Sequence, residues 1–230
     1  MSTRAAAGPS FLSGVERAPA DPILGVSVAF RESTNPNKLN LGVGAYRTED
    51  LKPYVLDVVR QAEKRMIEAD FDKEYLPMQG LAEFNEATRK LLLGDASKAV
   101  ADGRVATVQS LSGTGSLRVG AAFIAKFMPG AVVYLPNPTW GNHKNIFADA
   151  GAEWKEYRYY DKATIGLDLD GMIADLNAAP AGSVICLHGC AHNPTGVDPT
   201  KEQWSAIADA VEANELVPFF DVAYQVFASG

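Results

Sequence analysis

From Pro53 to the last residue, short apolar runs alternate with longer segments whose apolar side chains recur at helical spacing. Strands separated by helices cannot form hairpins; they need crossover connections, and the result is a mostly parallel sheet covered on both faces. Pro53 is placed as a first helical residue, with Val55, Val58, Val59, Ala62 and Met66 repeating behind it. A second helix is expected over 81–93, stopped by Gly94. Strands are expected at 105–111, 131–135, 154–160, 183–188 and 217–221. Helices are expected at 116–127, 141–150, 169–177 and 200–213, the last with its N-cap region at Asp198, Pro199 and Thr200. Residues 53–230 therefore read as one α/β unit, and the irregular stretch 16–52, with its turn at Asn35-Pro36-Asn37, as part of a second, smaller one.

With 230 residues, 47% of them hydrophobic, the chain can bury one large domain or one and a half. The net charge of −7 comes with no Lys/Arg stripe, which argues against nucleic acid as a partner. No apolar run reaches the length of a membrane span. The only two cysteines, Cys186 and Cys190, make no disulfide framework and fit a reducing compartment, so the cytoplasm is expected, with an organelle as the alternative. They and the nearby histidines also lack the paired close spacing of a zinc site, and no metal is expected. Residues 1–15, with Arg4 as their one charge, lack an amphipathic Arg-rich pattern and read as a flexible arm.

The chemistry gathers where strands end. Val217-Pro218-Phe219-Phe220 delivers Asp221 at the carboxyl end of a strand, where open α/β sheets bind ligands, and Tyr224 follows on the same segment. Ser112-Gly113-Thr114-Gly115 opens a helix, so backbone N–H groups and two hydroxyls can cup a phosphate; an ordinary capped turn is the alternative. The loop lacks the third glycine of a dinucleotide fingerprint, Arg118 standing in its place, and lacks the Lys-Ser/Thr ending of a triphosphate loop. Trp140, after Pro138 and Thr139, can lay its indole on a flat ring or simply pack the surface, and His143 lies close behind it. Asn193, in the turn Asn193-Pro194-Thr195-Gly196, can offer an amide to a ligand oxygen or close its own Asx turn. A phosphate cup, a stacking indole, an amide donor, a carboxylate and a phenol together suit pyridoxal 5′-phosphate, whose ring becomes an electron sink when its nitrogen is held protonated.

The sequence from about residue 21 to residue 230 resembles aspartate aminotransferases of the fold-type I pyridoxal-phosphate enzymes, the plant-type members in particular. The resemblance rests on the strings at 39–47 and 74–77, the 112–115 loop, Pro138-Thr139-Trp140, and the strings at 188–196 and 219–230. It implies a three-layer large domain, incomplete here, over 53–230, with an N-terminal arm and part of a small domain over 16–52. It implies exchange of the amino group between L-aspartate and 2-oxoglutarate by ping-pong transamination, in a homodimer with shared sites. Residue by residue, Ser112, Gly113 and Thr114 match the phosphate cup, and Tyr75 the tyrosine that reaches the partner subunit's cofactor phosphate. Trp140 matches the stacking indole, while Asn193, Asp221 and Tyr224 match the groups on the ring oxygen and nitrogen. Gly44, Trp140 and Asn193 match substrate-binding positions, and His143 and His192 resemble histidines that support the aspartate. In two respects the chain departs from the family. Val226 stands where the family string has glycine, and a β-branched residue is costly there if the backbone needs φ > 0. The family's Schiff-base lysine and its phosphate- and substrate-binding arginines have no counterpart in these 230 residues, whose last lysine is Lys201. The 230-residue stretch alone is therefore expected to be inactive, and a non-catalytic product that binds the cofactor or pairs with another subunit is the alternative reading.

Overall fold

The computed structural model describes residues 11–16, 22–40, 42 and 44–227. Most of the expected arm at 1–15 lies outside them, as do Leu41, Val43 and residues 228–230 of the strings just named. The chain forms two compact units, Met1–Glu74 and Tyr75–Gly230. In the first, a short 3-10 helix (Phe11–Gly14) precedes helices α1 (Pro22–Glu32) and α2 (Asp57–Glu68). Pro53 does not start α2: it forms an isolated antiparallel bridge with Arg47, which uses the extended backbone that proline tolerates at a sheet edge. The helix begins at Asp57, whose acidic side chain suits the N-terminal end of the helix dipole.

The second unit contains helices α3 (Ala82–Leu93), α4 (Lys98–Ala101) and α5 (Ser112–Phe127), then strand β1 (Val133–Asn137) and helix α6 (Asn142–Asp149). It continues with β2 (Trp154–Arg158), a two-stranded hairpin of β3 (Tyr160–Asp161) and β4 (Gly166–Leu167), α7 (Leu169–Ala178), β5 (Val184–His188), α8 (Lys201–Ala213) and β6 (Val217–Asp221). The main sheet runs β2-β1-β5-β6 with every pairing parallel. The aromatic stretch expected as one strand divides after Arg158, because Tyr160–Asp161 turns away to pair antiparallel with Gly166–Leu167.

Period-2 alternation sends successive side chains of the central strands into two separate cores. Val133 and Leu135 of β1 and Val184 and Cys186 of β5 pack with Leu117, Ala121 and Ile124 of α5 and Ile146 and Phe147 of α6. Tyr134, Ile185 and Leu187 face the other way, onto Met172 and Leu176 of α7 and Ile207 and Val211 of α8. The three layers of the expected fold are thus present. Residues 105–111 differ from expectation. They belong to no strand among the described residues, and Gln109 donates its backbone N–H to the Gln79 carbonyl instead of to a ladder. Gly80 makes that junction possible: its φ is +88°, and a Cβ there would lie 2.2 Å from Gln109 Cβ.

The order of connections sets the crevice. From β1 the chain goes through α6 to β2 on one side; from β5 it goes through α8 to β6 on the other, and α6 and α8 lie on opposite faces. The loops leaving β1 and β5 therefore part company, and the gap between the two strand ends is the switch point where such sheets take ligands.

Candidate active site

Four side chains bridge that gap in a single hydrogen-bonded line. The Asn193 backbone N–H can only donate, and it donates to His188 Nδ1 at 3.2 Å. With Nδ1 accepting, the proton of neutral His188 sits on Nε2, which faces Thr139 Oγ1 at 3.3 Å. The Thr139 hydroxyl then gives its own hydrogen to His143 Nδ1 at 2.8 Å. His143 in turn carries its proton on Nε2 and donates to Asp221 Oδ2 at 2.9 Å. Every donor finds an acceptor in only one direction, so the line assigns the tautomers of both histidines.

Strand register builds this line. His188 and Asp221 are direct partners across β5 and β6, and both share the parity of Cys186 and Phe219, which face α5 and α6. His143 meets them from the first turn of α6, fully buried. Two glycines allow the close approaches. A Cβ at Gly189 would come within 2.9 Å of Val222 Cγ2, and Gly189 donates its N–H to the Asp221 carbonyl at 2.8 Å. A Cβ at Gly120 would lie 2.8 Å from the Phe219 ring, so α5 rides directly on β6.

The electrostatics follow from the same contacts. The hydrogen bond from His143 holds the Asp221 carboxyl below its ordinary value, against the opposing effect of burial. Burial, with the neighbouring histidines adding to it, pushes His188 down to about 3. Burial likewise pushes His192 down to about 4. Asp221 is thus a charged, partly buried carboxylate held by the His143 hydrogen bond.

His192 does not support Asp221 as expected. Its Nδ1 pairs with Thr195 Oγ1 at 2.8 Å, and its ring stacks between Tyr159 at 3.9 Å and His188 at 4.3 Å. It bears on the line through His188, against whose ring it stacks. Asp198, expected only in the N-cap region of α8, clamps the loop: its carboxylate accepts the N–H groups of Ala191 and His192 at 2.7 and 2.8 Å. The cap itself is Thr200, in a reciprocal capping box with Gln203. Thr139, His188 and Tyr159 were not singled out from the sequence; parity on β5 would have flagged His188 beside Asp221.

The remaining expected residues fall as follows. Trp140 is half-buried, its ring edge-on to His143 at 5.4 Å, so it packs the core and borders the site at once. The Asn193 side-chain amide bonds none of the described residues, so it closes no Asx turn among them. Ser112, Gly113 and Thr114 are the first three residues of α5, and Leu111 at its N-cap has no side chain able to cap their N–H groups. A Cβ at Gly113 would meet open space, and Ser112 holds φ +58°. Tyr75 stands out from the surface, 97% exposed, and Gly44 lies in the first unit, also exposed. Lys144 is occupied by Glu156 and lies over the Trp154 ring, away from this line. His143, Cys186 and His188 group within metal-ligand reach, but both His188 nitrogens are already committed, and burial raises the Cys186 thiol far above its ordinary value.

Residues 36–230 match the family model described as aminotransferase class I and II. The chain belongs to this aminotransferase family. It is 63% identical over 222 residues to the chloroplastic aspartate aminotransferase of Arabidopsis thaliana, covering 96% of this chain and 49% of that relative. It is 61% identical over 230 residues to the mitochondrial aspartate aminotransferase P2 of Lupinus angustifolius, covering all of this chain and 51% of the relative. A cytoplasmic aspartate aminotransferase of Oryza sativa is 55% identical over 225 residues. Among solved structures, an aromatic-amino-acid aminotransferase from Burkholderia pseudomallei, covalently bound to pyridoxal phosphate, superposes with a TM-score of 0.90 at 48% identity, over 94% of this chain and 54% of that one. The cytoplasmic aspartate aminotransferase of Saccharomyces cerevisiae superposes with a TM-score of 0.88 at 41% identity, over 94% of this chain and 52% of that one. This aminotransferase chain spans about half the length of the curated relatives it matches. No helix among the described residues is long and apolar enough to cross a membrane.

Proposed function

We propose that the chain carries the pyridoxal phosphate-binding part of an aspartate aminotransferase, which exchanges the amino group between L-aspartate and 2-oxoglutarate. The observation that carries this reading is Asp221: a carboxylate kept charged by His143 at the end of β6, in a site that is partly buried. A charge held in such a place costs free energy unless something cationic meets it, and a protonated ring nitrogen does. Pyridoxal phosphate, when bound, supplies an electron sink for the substrate carbon that loses its proton.

The chain's own residues do the rest. The uncapped N–H groups and hydroxyls of Ser112, Gly113 and Thr114 hold the phosphate at the positive end of α5. Trp140 covers one face of the ring, Asn193 and Tyr224 bind its oxygen, and Asp221 keeps its nitrogen protonated. Gly44 lies against the bound amino acid, and Tyr75 reaches the phosphate of a second copy in a homodimer, a role that suits its 97% exposure. These 230 residues hold no lysine after Lys201, so the reading for this stretch is cofactor binding, and turnover belongs to the whole protein. Two free cysteines support a reducing compartment, the cytoplasm with an organelle as the alternative.

The test is an equilibrium titration of the chain with pyridoxal phosphate, alongside oxaloacetate formation by the whole protein. Asp221→Ala is expected to lower kcat by well over tenfold, a barrier change above about 1.4 kcal/mol. A kcat within tenfold of the parent would remove Asp221 from the chemistry.

A further inference from the structure

The segment leaving β6 closes a tight turn. Phe227 donates its N–H to the Tyr224 carbonyl at 3.1 Å, which makes Tyr224 to Phe227 a four-residue turn with Gln225 and Val226 at its centre. Val226 has φ +66°, and Gln225 is not among the residues of positive φ. Negative φ followed by positive φ is the type II pattern, whose second central position belongs to glycine or asparagine. Valine is among the worst residues for it, because its branched Cβ crowds the carbonyl in the left-handed region. Burial does not offset the strain: Val226 is 61% exposed. The turn is tethered at its other central residue, where Gln225 Nε2 donates to the Leu91 carbonyl of α3 at 3.1 Å.

We propose that Val226 is a positioning residue that weakens the hold of this chain on its cofactor, by lowering the population of the turn that presents the Tyr224 phenol. The cofactor part rests on the reading of Asp221 and Tyr224 given above; the backbone part stands on the turn alone. Left-handed backbone at a non-glycine residue shifts an equilibrium by a factor of roughly 5–30. Apparent affinity falls with the fraction of molecules in the competent conformation. Val226 touches nothing bound; it acts only through where Tyr224 is held.

The experiment compares four forms of the 230-residue chain: the parent, Val226→Gly, Tyr224→Phe and the double variant. Amide hydrogen exchange at Phe227 reports the turn, and equilibrium dialysis against pyridoxal phosphate reports affinity. Val226→Gly is expected to slow exchange at Phe227 by about fivefold or more and to tighten pyridoxal phosphate binding several-fold. In the Tyr224→Phe background the slower exchange should persist and the tighter binding should vanish. Equal exchange rates with and without Val226 would overturn the strain argument. Slower exchange with unchanged affinity would overturn the positioning role, and so would a gain in affinity that survives Tyr224→Phe, which marks general stabilisation. Failure of all four proteins to bind sinks the reading of the cofactor site, and the positioning role with it, even where exchange rates separate.

Discussion

His143 Nε2 lies 2.9 Å from Asp221 Oδ2, tying the first turn of α6 to the last residue of β6. The bond does two things. It supplies the donor that a partly buried carboxylate needs, and it makes the charge on Asp221 depend on a chain of groups that begins at the Asn193 amide. Replacing His143 by leucine is expected to raise the Asp221 pKa and to cost about 1–3 kcal/mol of stability, the penalty for an acceptor left without its donor. NMR titration of the carboxyl and urea unfolding measure the two effects. An unshifted carboxyl in the variant would mean that His143 is a packing residue only.

The start of α5 can be tested apart from Asp221. Ser112→Ala combined with Thr114→Ala is expected to weaken pyridoxal phosphate binding by about tenfold or more, at roughly 1 kcal/mol per lost hydrogen bond. The melting temperature of the unliganded chain should stay within about 2 °C of the parent, since these hydroxyls are exposed. Inorganic phosphate should compete with the cofactor in the parent and much less in the double variant. Equal affinity would reduce the loop to a helix start.

Stability should fall steeply on mild acidification. His188 and His192 have folded-state values of about 3 and about 4, against an ordinary 6.5. Between those values the unfolded chain binds more protons than the folded one, so stability rises with pH there, is complete above about pH 6.5, and is lost as pH drops. From pH 7.5 to pH 5 the loss is about 2 kcal/mol per histidine. Unfolding free energies measured at the two pH values decide it, and His192→Asn should flatten the slope. Asp221 acts at lower pH: its depressed carboxyl stabilises the fold above the ordinary 3.8, and that contribution disappears as pH falls through the folded-state value.

Gly120 is where α5 meets β6. Gly120→Ala gains about 1 kcal/mol of helix propensity but drives a methyl to 2.8 Å from a Phe219 ring that is itself packed on Phe147. Overpacking of this kind costs about 1–3 kcal/mol, so a net loss is expected, and Phe219→Leu in the same chain should recover part of it. A stabilised Gly120→Ala protein would show that the ring moves aside freely.

Much of this fold was legible along the chain. Period and punctuation located α3, with its stop at Gly94, and β5, α7, α8 and β6 to within a residue or two, since each carries its own apolar repeat and boundary residues. The candidate site residues are marked along the chain in the same way: Asp221 closes an apolar run, Asn193 opens the turn Asn193-Pro194-Thr195-Gly196, and the 112–115 loop stands before a helical repeat. Residues 105–111 misled because an apolar, β-prone run says nothing about whether a ladder partner exists, and Gln79 takes up Gln109 instead. Pro53 misled because the φ that suits a helix start also suits an extended edge.

Local sequence determined what each element is and which residue types stand at its ends, because those choices are made over a few residues of backbone. Which of those residues touch was decided only by the tertiary structure. The order β2-β1-β5-β6 opens the gap between β1 and β5, and the pairing of His188 with Asp221 points both toward α6. Close packing at Gly120 and Gly189 then brings the strand ends near enough for Thr139, His143 and His188 to link Asn193 to Asp221. Hydrogen bonds are sensitive to tenths of an ångström and to direction, and positions 78 apart in sequence have no such geometry until the sheet registers them.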